Sequence, residues 1–271
     1  MAQDHWNRMA KNWKLVGAPL RPGPSDMKLF YEAIKRHKKS FNEPIDSLIL
    51  GVTPELSQLD WPPETQLYAL DASSAMIEAL WQGSKNHAYL GSWLDAPFPD
   101  GSIDVIVCDG GFGVLDFPGT QRALLMEVKR MLRANGIFIV RLFAPGCLSE
   151  SVDDIARDLR RGLINTLDVL KFRLWGALQR SVHEGVSPRD VVAQIELISG
   201  GMNRLVAEYG FSDQHVATLE YHRHSDARYC LSGIEELSLL IEDIAEMKIA
   251  EISYPDHAFG SRCPVVTIAK K

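Results

Sequence analysis

Two places in the chain gather the residue types that build a ligand site at the edge of an α/β sheet. The first is Leu90 to Gly111, LGSWLDAPFPDGSIDVIVCDGG. It holds an acidic, proline-bearing loop, a turn at Pro99-Asp100-Gly101-Ser102, the apolar run Ile103 to Val107, and then Cys108-Asp109-Gly110-Gly111. A short, nearly unbroken apolar run bounded by turn residues is the pattern of a buried parallel strand. Ligands of open α/β sheets gather beyond the carboxyl ends of such strands, and an acid followed by two glycines there lets a ligand approach the backbone closely. The second place is Asp71, which ends the run Gln66 to Asp71 immediately before Ala72-Ser73-Ser74-Ala75-Met76. An acid at that point accepts hydrogen bonds from a ligand's hydroxyls, or caps the following helix, or does both.

The elements that must position these residues follow from periodicity. Residues 1–14 form a short helix with Trp6, Met9, Ala10 and Trp13 on one face, and Val16 to Ser25 is a loop of three prolines and two glycines. A helix runs from Ser25-Asp26 through the basic cluster Lys35 to Lys39, where cations suit a helix C-terminus. Strands are expected at Ser47 to Gly51, Gln66 to Asp71, Ala88 to Leu90, Ile103 to Cys108 and Ile137 to Phe143. Helices are expected at Ser73 or Ser74 through Trp81 and at Thr120 to Arg133, the latter stopped by Ala134-Asn135-Gly136. Such alternation with short connections implies a parallel, doubly wound sheet. From Leu148 to about Tyr209 two or three helices interrupt it. One apolar stripe there takes in Leu163, Ile164, Leu167, Leu170, Leu174, Ala177 and Leu178, and a new helix starts at Ser187-Pro188. A helix at Gly233 to Glu246 and strands at Ile249 to Tyr254 and Pro264 to Ala269 complete the pattern.

The 271 residues suffice for one large domain or for one domain with an insertion, and the 46% hydrophobic and 24% charged fractions are those of a globular protein. A net charge of −6 argues against a nucleic-acid partner, which needs clustered Lys and Arg. The four cysteines, Cys108, Cys147, Cys230 and Cys263, are far apart, as free thiols in a reducing compartment are. No apolar run approaches the roughly 18 residues of a membrane span. These features point to a cytoplasmic protein.

The Leu90–Gly111 stretch resembles the fourth-strand region of class I S-adenosylmethionine (SAM)-dependent methyltransferases, in which an LPFPDGSFDVV-like run is typical. Asp71 to Met76, DASSAM, is similar to that family's D-x-S-x-x-M motif. The resemblance covers residues 45–143 well and the last 40 residues more loosely. It implies a Rossmann-like sheet of seven strands, mostly parallel and ending in an antiparallel pair, with a helical insertion between strands five and six. The expected units are an N-terminal helical cap (1–40), a SAM-binding core (41–147 and 230–271) and a helical lid (148–229).

The resemblance also implies a cofactor site. Asp71 would take the ribose diol, with Ala72 and Met76 beside it. Ser92 and Trp93 stand where the family has an acid near adenine, with Trp93 as core filler the alternative. Asp109 and Gly110 would floor the methionine portion. The first motif departs from the family's E/D-x-G-x-G-x-G: the chain has Ile49-Leu50-Gly51-Val52-Thr53-Pro54-Glu55. Only Gly51 remains; Thr53 could donate to the cofactor, and Glu55 either pairs with its ammonium or marks a helix start. Trp6 and Trp13 resemble aromatics that close over the cofactor, or pack their own helix.

The implied activity is in-line methyl transfer to a small-molecule acceptor, in which holding three atoms on one line does most of the work. A catalytic base is needed only if the acceptor must lose a proton; histidine, Asp109 and Tyr221 are the candidates. The altered first motif supports a second reading, a catalytically silent methyltransferase-fold protein acting as a partner or regulatory subunit. A nicotinamide dehydrogenase is disfavoured by the missing G-x-G-x-x-G. The run His222-x-His224 with Asp226 lacks the second ligand pair that zinc requires, so no metal is expected.

Overall fold

The computed structural model describes residues 2–38, 44–146, 150–223, 225 and 227–271. In chain order the helices are α1 (Ala2–Asn12), α2 (Pro24–Lys38), α3 (Pro54–Ser57), α4 (Ser74–Leu80), α5 (Gly119–Met131), α6 (Val152–Arg160), α7 (Leu167–Leu178), α8 (Pro188–Ser199), α9 (Met202–Ala207), α10 (Asp213–Ala217), α11 (Leu219–Arg223) and α12 (Ile234–Glu242). The strands are β1 (Asp46–Leu50), β2 (Gln66–Asp71), β3 (Ala88–Leu90), β4 (Ile103–Asp109), β5 (Leu132–Arg141), β6 (Met247–Ser253) and β7 (Val265–Lys270).

The seven strands form one sheet in the order β3-β2-β1-β4-β5-β7-β6. All pairs are parallel except those of β7, which runs antiparallel to both β5 and β6. The order turns around at β1, which pairs with β2 on one side and β4 on the other. Doubly wound sheets open their ligand crevice at such a reversal.

The apolar strands are buried because helices cover both faces. Leu48, Leu50, Ile106, Cys108, Phe138 and Val140 pack with Leu124, Leu125 and Val128 of α5 and Leu237 and Leu240 of α12. On the opposite face Ile49, Val105, Val107 and Ile139 meet Phe30 and Ile34 of α2 and Met76 and Leu80 of α4. The helices between β5 and β6 hold a separate core, with Ile155, Leu170, Phe172, Leu174, Val192 and Ile195 fully or nearly fully buried.

Local signals fix the insertion's helix starts. Ser151 and Asp154 form a reciprocal capping box on α6, Thr166 accepts from Val169 N at 3.1 Å on α7, and Ser187 caps α8 with Pro188 in its first turn. Such caps are worth about 0.5–2 kcal/mol each.

Two expectations need correction. Ala134-Asn135-Gly136 does not separate α5 from β5. The strand already pairs at Leu132 with Ile103, and the register shift between Ile103 and Val105 takes up Asn135 in a left-handed conformation (φ 64°). The stripe from Leu163 to Leu178 is not one face either, since Leu163 lies in the turn before α7 and is 62% exposed. Cys108, Cys230 and Cys263 are buried free thiols; Cys147, His224, Asp226 and Lys39 lie outside the described residues. None of the described helices is long and apolar enough to cross a membrane.

Candidate functional site

The carboxyl ends of β1, β2 and β4 open into one cavity of about 330 Å³, within the range of small-molecule pockets. Its sheet side is made by the turns that follow those strands, and its far side by α1, α7, α11 and the segment 229–231.

The β1 turn begins at Gly51, whose φ of +94° suits glycine. A side chain there would fill the mouth between Trp93 Cζ2 (3.6 Å from the added Cβ) and Asp71 Oδ2 (4.0 Å). Val52 and the buried Thr53 follow along the cavity wall. Glu55 does not line the cavity: it sits in the first turn of α3 and forms an ion pair with Arg21 of the loop before α2. That contact bridges 34 residues of sequence and suits the helix-start role rather than a ligand role.

Asp71 lines the cavity beside Ala72 and Met76. Its Oδ1 accepts from Ser73 N at 2.8 Å, and Ser73 is the residue that caps α4, accepting from Met76 N at 3.3 Å. Helix capping therefore falls to the serine. Burial pushes the Asp71 carboxyl up to about 6, with the Ser73 N–H pulling back.

Trp93 lies across the glycine floor: a Cβ on Gly111 would stand 2.6 Å from its Cη2. Its indole N–H donates to Leu70 O at 2.8 Å, which fixes the ring at the ends of β1 and β2. Ser92 lines the cavity next to it, its hydroxyl accepting from Leu94 N. The loop behind them is pinned to α5, where Arg130 donates to Phe98 O at 2.7 Å and Ala96 O at 3.0 Å while Glu127 accepts from Ala96 N.

Asp109 and Gly110 floor the cavity, but the Asp109 carboxylate is committed. It accepts from Arg141 Nε at 2.5 Å, and Arg141 is fully buried. Arg141 Nη1 also donates to Pro19 O at 3.0 Å and Asp26 Oδ1 at 3.3 Å. Burial opposes the guanidinium charge, and Asp109 and Asp26 more than offset it, so its pKa lies above the ordinary arginine value. This cluster ties the loop before α2 to the strand end under the site.

Opposite stand Trp6, Met9 and Trp13, with Lys171 and Trp175 of α7, His222 of α11, and Tyr229 and Leu231. Segment 229–231 is held in place by Gln179, which exchanges two 2.8 Å bonds with the Leu231 backbone, and by a Cys230 N to Gly113 O bond of 2.8 Å. Tyr221, expected as a possible base, lies outside the main cavity beneath Arg8; His222 is the histidine that lines it. Lys171, Tyr229 and Leu231 escaped sequence reasoning. The one available signal was the i,i+3 pair of an aspartate and a lysine, Asp168 and Lys171, in the apolar-rich α7. Among the described residues no cluster of His, Cys, Asp or Glu is placed to hold a metal.

The strand order, the antiparallel β7 and the site at the β1/β4 reversal define a class I methyltransferase fold. Residues 51–140 match the model of the methyltransferase-domain family. No curated protein matches the chain significantly in sequence. Three solved structures are similar over almost their whole lengths. A chain from Rhodobacter sphaeroides provisionally described as a zinc-dependent alcohol dehydrogenase has TM-score 0.65 at 12% identity, covering 99% of this chain and 98% of that one. The N-methyltransferase NodS from Bradyrhizobium japonicum WM9, in complex with S-adenosylhomocysteine, has TM-score 0.51 at 10% identity, covering 98% of both chains. A Haloferax volcanii complex of the Trm112 methyltransferase activator with a protein provisionally described as a methyltransferase gives TM-score 0.52 at 12% identity, covering 100% of this chain and 97% of that one. At these identities the likeness speaks for the fold alone.

The residues at the site fit S-adenosylmethionine, the cofactor of class I methyltransferases. Gly51 leaves open the space that a Cβ would fill, and Asp71 Oδ2 faces that space with no protein donor among the described residues. Met76 and Trp93 supply apolar flanks.

Proposed function

We propose that the protein transfers the methyl group of SAM to a small-molecule acceptor inside this cavity. The observation that carries the reading is the continuity of one cavity from Asp71 and Gly51 at the sheet edge to α7 and Tyr229 opposite. Asp71 would hold the ribose diol, with Gly51, Thr53, Ala72, Met76, Ser92 and Trp93 around the nucleoside, and Asp109 and Gly110 beneath the methionine portion. Bound there, SAM supplies an already activated methyl group.

The protein's part is then to orient and enclose. Helix α1 and the insertion act as the cap and lid that exclude water, and the wall opposite the sheet holds the acceptor. His222 is the side chain placed to receive a proton when the acceptor must lose one. Arg141 pairs with Asp109, which among the described residues leaves Asp71 as the carboxylate without a basic partner at the ends of β2 and β4.

Four of the six tryptophans, Trp6, Trp13, Trp93 and Trp175, line the cavity. Titration with S-adenosylhomocysteine should therefore change the intrinsic fluorescence saturably, with Trp93→Phe removing a large share of the signal. A folded protein whose fluorescence is indifferent to the nucleoside would overturn the proposal.

A further inference from the structure

The two sides of the cavity differ in hydrogen-bonding sense. The sheet side offers acceptors, Asp71 above all. The α7 side offers donors. Lys171 and Trp175 are one helical turn apart, at i and i+4, and so share a face of α7. Both line the cavity and both are 8% exposed. Lys171 Nζ is 2.6 Å from Asp168 Oδ1, and Asp168 Oδ2 is taken up by Gly17 N at 2.6 Å. An ammonium has three donors, so this pairing leaves capacity for a further acceptor.

The indole of Trp175 makes the sharper case. Its Nε1 is buried and meets no hydrogen-bond acceptor among the described residues. Buried polar groups are nearly always paired, because an unmade bond carries the full desolvation penalty. An indole N–H left unsatisfied on the cavity wall has room for a ligand acceptor, as does that of Trp13 on the α1 side of the same cavity. Around it the wall is apolar and aromatic: the Tyr229 ring lies 5.0 Å from the Trp175 ring, tilted by 47°, with Phe143 and Leu231 beside them. An aromatic wall alone would also suit an amine through cation–π attraction. The Lys171 ammonium one turn away and the indole donor both oppose that choice.

We propose that the methyl acceptor is a planar, oxygen-bearing molecule, an aromatic carboxylate or ketone, seated against Trp175 and Tyr229 with its oxygen accepting from Trp175 Nε1. The proposal rests on the methyltransferase reading for the word acceptor; the ligand chemistry itself comes from α7. A carboxylate would engage Lys171 as well, and a ketone only the indole.

Ligand-observed NMR titrations with benzoate, acetophenone and benzylamine test it, run with and without saturating S-adenosylhomocysteine. Benzoate and acetophenone should bind, and benzylamine at least about tenfold more weakly. Trp175→Phe should weaken both oxygen ligands about fivefold or more while leaving S-adenosylhomocysteine affinity within about twofold. The same variant, relieved of an unmet donor, should melt no lower than the parent without ligand. Lys171→Met should weaken benzoate by about tenfold and acetophenone far less. Equal or tighter binding of benzylamine, or oxygen ligands indifferent to Trp175→Phe, would overturn the proposal, as would their failure to bind a folded protein. If S-adenosylhomocysteine fails to bind while the oxygen ligands depend on Trp175, the cofactor reading falls and this one stands; the reverse pattern removes only this one.

Discussion

Asp71 and Asp109 end strands β2 and β4, one on each side of β1, and line the same cavity, yet they are built for different tasks. Asp71 is held by a single backbone N–H and pays for burial with a pKa raised to about 6. Asp109 is locked to a buried arginine that also binds Asp26 and the Pro19 carbonyl. The first is a carboxylate left open toward the cavity; the second is half of an ion pair that fastens the N-terminal segment to the sheet. An acid at a strand end is thus a ligand group only when the fold leaves its charge unmatched.

Breaking the matched side should have the largest effect. Arg141→Met leaves Asp109 and Asp26 buried without their counter-ion, and should cost about 3–5 kcal/mol of stability in urea unfolding. A loss under about 1 kcal/mol would mean that the cluster does not fasten the segment.

Breaking the open side should move binding instead. Asp71→Ala should weaken SAM at least about tenfold, or about 1.4 kcal/mol, through loss of charge-assisted hydrogen bonds to the ribose. Its stability should change little or improve at pH 7. The sign follows from the raised pKa: the folded state holds the Asp71 proton more tightly than the unfolded chain, so the group opposes folding once the pH exceeds the unfolded value. That cost grows as pH rises toward about 6 and is then constant.

The same titration should appear in binding. The ionised carboxylate is the better acceptor for hydroxyls, so SAM affinity should rise with pH up to about 6 and level off above it. Calorimetry from pH 5 to 8 would show it, and a flat profile would separate Asp71 from the cofactor. The smallest effect is expected at Glu55, whose partner is Arg21. Glu55→Gln should alter stability by less than about 1 kcal/mol and SAM affinity by less than about twofold. A tenfold loss of affinity would restore the ammonium-binding role suggested by its place in the motif.

The parts of this arrangement that were legible in sequence are those written locally. Apolar runs bounded by turn residues marked the strands, and DASSAM placed Asp71 at a strand end. What escaped was set by distant partners. Nothing near Glu55 announces Arg21, and nothing near Asp109 announces Arg141, 32 residues away and inside a strand otherwise apolar near its end. The start of β5 was misplaced because Ala134-Asn135-Gly136 has the composition of a helix stop, whereas its left-handed Asn135 serves a strand irregularity. Trp175 becomes a cavity wall through the folded position of Tyr229, 54 residues on in the sequence.

The most direct test of the account is calorimetric titration of the purified protein with SAM, beside Asp71→Asn at pH 7. The parent should bind with micromolar affinity and the variant about tenfold more weakly, with Thr53 tolerated in place of the usual glycine. A folded parent protein that shows no binding up to millimolar SAM would contradict it, and would favour a silent methyltransferase-fold partner over an enzyme.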